Sequence, residues 1–221
     1  MDLNKIYSKG FGWMFFGLLV TFLTVYINNN FIIVSYALET INFLCFVSTG
    51  MYLTVSYFLI RKIHETSYKT AKIYFLILSV LTGYLYSTIF TIFELSSIIY
   101  VFAITALLFG IFALLGHFVK IDLSKIRISL LIGFLGILIC LLINIFLGNT
   151  IFDLIIIIMI IIFYLANIVY DMQAIKKEIN ESEEDNEDNL AIIFALGLYL
   201  SFYYLFLDLL RLLRKLKNLK K

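Results

Sequence analysis

Seven long runs of apolar residues follow one another along the chain, separated by short polar stretches. A run of about 18 or more such residues can cross a hydrocarbon core about 30 Å thick as a helix. No run alternates apolar and polar positions as a membrane β-strand would, and helices satisfy their own backbone groups in lipid. The pattern therefore predicts seven transmembrane helices, near residues 10–27, 31–60, 73–93, 98–119, 128–147, 151–174 and 190–210.

The composition supports a membrane location for the whole chain. Hydrophobic residues make up 62% of it, charged residues 14%, and proline is absent, whereas soluble domains are about half apolar and about one quarter charged. We expect a single integral membrane domain over residues 1–221, in contact with the lipid bilayer, with no nucleic-acid partner. Its longest polar segments are an acidic loop at 176–188 and a basic tail at 211–221.

The basic residues predict the orientation of the chain. They lie in the N-terminus and in the loops after spans two, four and six, while the other three loops contain no Lys or Arg. By the positive-inside rule, the N-terminus and these basic loops are cytoplasmic. The tail, with six basic residues, is the exception, because seven crossings place it outside. A re-entrant last span would return it to the cytoplasm, but we favour seven crossings, since early segments usually dominate orientation.

Two adjacent spans carry polar side chains on one helical face. In the sixth span these are Tyr164, Asn167 and Asp171, and in the seventh they are Ser201, Tyr204, Asp208 and Arg211. Spacings of three, four and seven residues bring side chains to the same side of a helix. Polar groups inside a membrane are costly and usually face a bundle interior or a pore. The two faces are therefore candidates to lie against each other.

Simpler interpretations of these residues stay open. Asp171 could be the first solvated residue at the cytoplasmic interface, since Lys177 lies only six positions further on. Asp208 and Arg211 are one turn apart, and a local ion pair is their preferred interpretation. Asn144, deeper in span five, is expected to form an interhelical hydrogen bond.

The chain lacks the residue patterns of known intramembrane catalysts. No GxSG serine lies within a span, no GxGD sequence accompanies the "YD" at 170–171, and the last span contains no lysine before Arg211 that could hold retinal. We therefore expect neither an enzyme nor a resident cofactor.

The last third of the chain resembles the Bax inhibitor-1 family, also called the transmembrane Bax inhibitor motif family. The residues that carry the resemblance are "YDMQAIKK" at 170–177 and "ALGLYLSFYYLFLDLLR" at 195–211. Looser matches are "KIY" before the first span, "LTGYLYS", "ALLGHFVKIDLS" and "LINIFL". The resemblance covers nearly the whole chain and implies a seven-helix bundle with the C-terminal helix central. It also implies a pH-sensitive Ca²⁺ leak.

The same resemblance implies roles for particular residues. In the family pattern an acid on helix six pairs with an acid on helix seven, and a basic residue ending helix two can bind that pair. Asp171 matches the first acid and Arg61 the basic residue, but Ser201 stands where the second acid is expected. Two close carboxylates share a proton because both cannot ionise cheaply. Without the second acid, we expect a weaker or displaced pH response.

Two functions from different classes follow. The first is a Ca²⁺ leak in which Asp171 and Arg61 form a latch. Asp171, the Ser201 hydroxyl and the Asn167 carbonyl would offer hard oxygen ligands to a transient Ca²⁺ ion. Asp208, about 10 Å further along its helix than Ser201, would be a second station on the path.

The alternative function is a non-conducting scaffold that binds other membrane proteins, such as a membrane protease, through its acidic loop and basic tail. A bacterial inner membrane is the favoured location for either function, and an internal eukaryotic membrane is the alternative.

Overall fold

The computed structural model describes residues 3–29, 67–87, 93–119, 123–181 and 187–219, and in these ranges it contains helices and no strand. Five of the six helices are long and apolar enough to cross a membrane, all except the second. The second predicted span lies outside the described residues, so the structure confirms an all-helical membrane architecture but not the count of seven. The helices are α1 (Leu3–Ile27), α2 (Tyr68–Leu85), α3 (Leu95–Phe118), α4 (Leu123–Leu147), α5 (Thr150–Glu181) and α6 (Glu187–Leu219).

The last two helices are longer than the sequence pattern predicts. Helix α5 continues to Glu181 and α6 begins at Glu187, so most of the predicted acidic loop is helical. The predicted basic tail is helical as far as Leu219, because Leu, Lys and Arg are good helix formers and no proline intervenes. With 33 residues, α6 is about 50 Å long. A continuous helix of this length excludes a re-entrant turn in the last span.

Helix α6 is by far the most buried of the five membrane-length helices. In its most apolar window 72% of the residues are buried, against 6% for α4 and 28% for α1 and α3. Tyr199, Leu198 and Leu205 are completely buried. Most residues of this window in α6 are therefore covered by other parts of the protein, whereas nearly all of those in α4 are not.

The chain divides into two compact units, and the first comprises Met1–Leu95 and Ser182–Tyr199. A Cβ atom at Gly17 of α1 would lie 2.6 Å from the ring of Phe75 on α2, so only glycine allows this close approach. Next to it, the Thr21 hydroxyl donates to the Ser79 carbonyl oxygen at 3.0 Å and lies 2.7 Å from the Tyr199 hydroxyl. Apolar packing and shared hydrogen bonds thus join α1, α2 and the start of α6.

Ion pairs join the first helix to the start of the last one within this unit. Lys5 lies 3.0 Å from Glu187, and Lys9 pairs with Asp188. Part of the predicted acidic loop therefore contacts the N-terminal helix.

The second unit comprises Ser96–Glu181 and Leu200–Lys221. Its helices α4 and α5 form a hairpin through Gly148, whose φ of +57° lies in the left-handed region that favours glycine. The Asn149 side chain then accepts hydrogen bonds from the amides of Ile151 and Phe152, at 2.8 and 3.1 Å, and so caps α5. Across the hairpin, the Asn144 amide donates to Asp153 at 3.4 Å, which is the interhelical bond predicted for Asn144.

Candidate functional site

Three of the predicted site residues meet between α5 and α6 in the second unit. The Ser201 hydroxyl donates to Oδ2 of Asp171 at 3.0 Å, and Nδ2 of Asn167 donates to Oγ of Ser201 at 3.1 Å. A longer contact of 3.5 Å joins Nδ2 of Asn167 to the same Asp171 oxygen. We call Asn167, Asp171 and Ser201 the Asp171 cluster. The structure therefore brings the polar faces of the two helices together.

An aromatic pair continues this contact along both helices. The rings of Tyr164 and Tyr204 stack at 5.5 Å with an angle of 15° between their planes. Tyr164 lies three residues before Asn167 and Tyr204 three residues after Ser201, as expected for antiparallel helices. Such ring pairs stabilise a contact beyond the area that they bury. The stacked tyrosines therefore help to set the register that places Ser201 beside Asp171.

The Asp171 cluster offers oxygen atoms of different types in one small region. Ser201 is buried, and within the described ranges the side chains that donate to the Asp171 carboxylate, those of Ser201 and Asn167, are both neutral. Carboxylate, hydroxyl and amide oxygens are all possible Ca²⁺ ligands. Among the described ranges, no three His, Cys, Asp or Glu side chains gather as they would around a tightly held metal ion. The cluster thus contains one carboxylate and two neutral polar groups whose oxygen atoms are possible ligands for a cation.

Arg61, the predicted counter-ion of Asp171, lies outside the described residues. The proposed latch between Arg61 and Asp171 therefore stays a prediction. In the part of the chain that the structure describes, no Lys, Arg or His forms an ion pair with Asp171.

Close packing between α3 and α5 supports the Asp171 end of α5. A Cβ atom at Gly116 would lie 2.8 Å from Cβ of Met172 and 3.0 Å from the backbone of Val169. The first of these contacts is to the residue that follows Asp171 in the chain. A side chain at position 116 would therefore displace the backbone that carries Asp171.

Two polar side chains of α5 also cap the end of α3. The last carbonyl groups of a helix lack partners within it. The Gln173 amide donates to the Gly116 oxygen at 2.9 Å and to the Val119 oxygen, and Lys176 donates to the His117 oxygen. The sequence does not reveal these roles, although both residues belong to the "YDMQAIKK" segment, because the capped carbonyls lie more than 50 positions away.

Asp208 forms a different kind of contact. Its carboxylate is buried and lies 3.1 Å from Nη1 of Arg211, whose side chain is 63% exposed. The interpretation as a local ion pair is therefore confirmed. The recorded hydrogen bond of Asp208 is to Arg211, and the structure does not bring Asp208 into the Asp171 cluster.

Proteins similar to this chain identify its family. The family model described as inhibitor of apoptosis-promoting Bax1 matches residues 3–218. A protein of Borreliella burgdorferi is 32% identical over 97% of this chain and 94% of its own length. The inner membrane protein YbhL of Escherichia coli is 31% identical over 95% of this chain and 91% of its own length. An uncharacterized membrane protein of Streptococcus pyogenes is 30% identical over 62% of this chain and 60% of its own. The chain therefore belongs to the Bax inhibitor-1 family and is a multi-pass integral membrane protein.

Proposed function

We propose that this protein is an ion leak, with Ca²⁺ as the favoured ion, and that the Asp171 carboxylate controls the movement of ions through it. The observation that carries the proposal is the hydrogen-bonded Asp171 cluster, in which Ser201 and Asn167 hold a carboxylate between two long apolar helices. Family membership supports it, because the resemblance implies a Ca²⁺ leak.

Polar groups inside a membrane are costly. A carboxylate, an amide and a hydroxyl on apolar helices lower the stability of the fold unless they bond to each other or face a water-filled path. Here they bond to each other while keeping spare acceptor sites, because a carboxylate has about four such sites. A passing cation would find oxygen ligands without having to break a strong ion pair within the cluster.

In this proposal Arg61 is the group that closes the path when it binds Asp171. The pH response is weaker than that of a two-acid site, because Ser201 supplies a neutral donor in place of a second carboxylate. Asp208 serves to anchor Arg211. Its earlier assignment as a second station is the less favoured version of the proposal, since Arg211 already occupies one of its oxygens.

The non-conducting scaffold remains the second candidate, and one observation favours it. The Ser201 hydroxyl satisfies Asp171 directly, so the cluster has a purely structural explanation as an interhelical hydrogen-bonded contact. In that case the charged ends of the helices would be the contact surfaces for a partner membrane protein.

Ca²⁺ flux into liposomes that contain the purified protein tests the leak. We expect wild-type flux above that of empty liposomes, and we expect Asp171→Asn to reduce it to the empty-liposome rate. Asparagine keeps the size and can accept the Ser201 hydrogen bond, so the variant should fold. Wild-type flux no greater than that of empty liposomes, from protein that elutes as a single folded species, would overturn the leak and leave the scaffold.

For the orientation, we propose a cytoplasmic N-terminus in the inner membrane of a bacterium. The distribution of basic residues in the loops supports it. Alkaline phosphatase, which is active only outside the cytoplasm, provides the test when it is fused to either end. The proposal requires an inactive N-terminal fusion and an active C-terminal fusion, and the opposite pattern would contradict it.

A further inference from the structure

A cavity of about 430 Å³ lies in the second unit near the start of α5 and the end of α6. Its apolar wall comes from Leu141 of α4 and from three isoleucines of α5, Ile156, Ile157 and Ile160. Ile156 and Ile157 are buried, so this wall belongs to the packed interior of the unit. The cavity can therefore receive an apolar group on one side.

The other side of the cavity is polar and mainly positive. Its lining includes Arg211, Arg214, Lys215 and Asn218 from α6, and one acid, Asp153. Lys215 forms an ion pair with Asp153, with 2.5 Å between Nζ and Oδ2, and Arg211 forms an ion pair with Asp208. Within the described ranges Arg214 forms no ion pair. Its guanidinium group is therefore available for an anionic ligand.

We propose that this cavity binds the phosphate head group of an anionic phospholipid, with the start of an acyl chain against the isoleucine wall. The inference does not depend on the leak. The planar guanidinium group of Arg214 can donate two parallel N–H hydrogen bonds to phosphate oxygens. The side-chain amide of Asn218, one turn further along α6, supplies a neutral donor. The first amides of α5 are already bonded to Asn149, so the recognition comes from side chains.

The combination of surfaces argues for a lipid over a soluble anion. A free phosphate ion would use the arginine but would leave the apolar wall in contact with water. A zwitterionic lipid would bring its own cation close to Arg214 and Lys215. Basic pockets between transmembrane helices are known to suit anionic head groups.

The same site gives the basic tail a function. The positive-inside rule does not explain six basic residues after the last crossing. Three of them, Arg211, Arg214 and Lys215, line this one cavity because α6 stays helical beyond the apolar span. A lipid site at the membrane surface accounts for this concentration of basic residues, whichever side of the membrane the tail lies on.

Native mass spectrometry of the full-length protein in detergent tests the proposal, with phosphatidylglycerol and phosphatidylcholine as probes and inorganic phosphate as a competitor. We expect phosphatidylglycerol to bind in preference to phosphatidylcholine. Arg214→Gln should weaken its binding about tenfold, since one charged hydrogen-bonding group is lost. Lys217→Gln is the matched control, because it removes the same charge from the same helix but lies outside the cavity lining and can still donate to Ser97.

Three results would overturn the proposal. Equal binding of the two lipids would exclude recognition of the anionic head group. Equal weakening by the two substitutions would indicate general attraction to the tail and no defined site. Displacement of phosphatidylglycerol by inorganic phosphate at similar concentration would show that the site takes a soluble anion. Because Arg214 forms no ion pair in the described structure, loss of folding in Arg214→Gln is not expected, and a thermal unfolding curve checks it.

Discussion

The two ends of α5 stabilise their polar side chains in opposite ways. Near Asp171, neutral donors hold the carboxylate at 3.0 and 3.5 Å, and Gly116 allows α3 to pack directly on the backbone. Near Asp153, the polar contacts are ion pairs to flexible basic side chains, beside a cavity of about 430 Å³. The Asp171 end is closely packed and its carboxylate has neutral hydrogen-bond partners. The Asp153 end lies beside a cavity and its carboxylate has a charged partner.

This difference determines which changes the protein tolerates. A buried group that loses its hydrogen-bond partner cannot bond to water instead. The free energy of unfolding then falls by the full desolvation penalty of that group. A partly exposed Lys or Arg that loses its partner is hydrated instead, and the loss is small. We therefore expect substitutions near Asp171 to have larger effects than similar substitutions near Asp153.

The largest expected effect is a change in the pH response of the leak in Ser201→Asp. The substitution places a second carboxylate beside Asp171, and the two would share a proton because both cannot ionise cheaply. Flux measured at acidic and neutral pH should then differ several-fold, while wild-type flux changes less. Equal pH dependence in the two proteins, both correctly folded, would show that the cluster does not couple protons to the leak.

Next in size is the effect of Gly116→Ala on stability. The added Cβ atom would lie 2.8 Å from Met172, and overpacking of this kind lowers the free energy of unfolding by about 1–3 kcal/mol. Gly110→Ala on the same helix is the control, since nothing lies within 4 Å of its Cβ position. Thermal unfolding in detergent should show a lower midpoint for the first variant alone. Similar midpoints for both would contradict the close packing of α3 on α5.

Ser201→Ala and Ser97→Ala remove the same hydroxyl group from two different hydrogen bonds, one in the Asp171 cluster and one between α3 and the end of α6. The first leaves Asp171 and Asn167 without their shared hydroxyl and should lower the free energy of unfolding by about 1–3 kcal/mol. The second removes only the acceptor of Lys217, which can turn to water, so we expect a smaller loss. Unfolding midpoints in the same detergent compare them. A larger loss from Ser97→Ala would reverse the proposed contrast.

The smallest effect is expected from Lys215→Gln. Lys215 and Asp153 are about one third exposed, and such pairs contribute about 0.2–1 kcal/mol to stability. The thermal midpoint should therefore change little, and less in high salt than in low salt. A loss as large as that of Ser201→Ala would indicate that the ionic end is structurally essential.

Sequence reasoning predicts the polar face of each helix and which faces are candidates to meet, but it does not predict the register in which two helices pack. The spacing of Tyr164, Asn167 and Asp171 defines a polar face from helical geometry alone. That Ser201 lies opposite Asp171 depends on the register between α5 and α6, which the Tyr164–Tyr204 stack helps to set. The spacing of residues along one helix contains no information about that register.

The capping of α3 and the cavity were missed for related physical reasons. Gln173 and Lys176 bond to carbonyls whose positions depend on where α3 ends and how closely Gly116 lets it approach. The cavity requires α6 to remain helical beyond its apolar residues, whereas the hydrophobic pattern places the end of the span at residue 210. Helix propensity of the Leu- and Lys-rich tail is the signal that could have extended it.

The most direct test of the account compares Ca²⁺ flux in Asp171→Asn and Asp208→Asn at equal protein content in the same liposomes. Each substitution removes one carboxylate charge from a helix of the α5–α6 pair, one from the neutral cluster and one from the ion pair with Arg211. We predict loss of flux in Asp171→Asn and nearly wild-type flux in Asp208→Asn. Wild-type flux in Asp171→Asn, or equal loss in both variants, would contradict the claim that the Asp171 cluster controls the path.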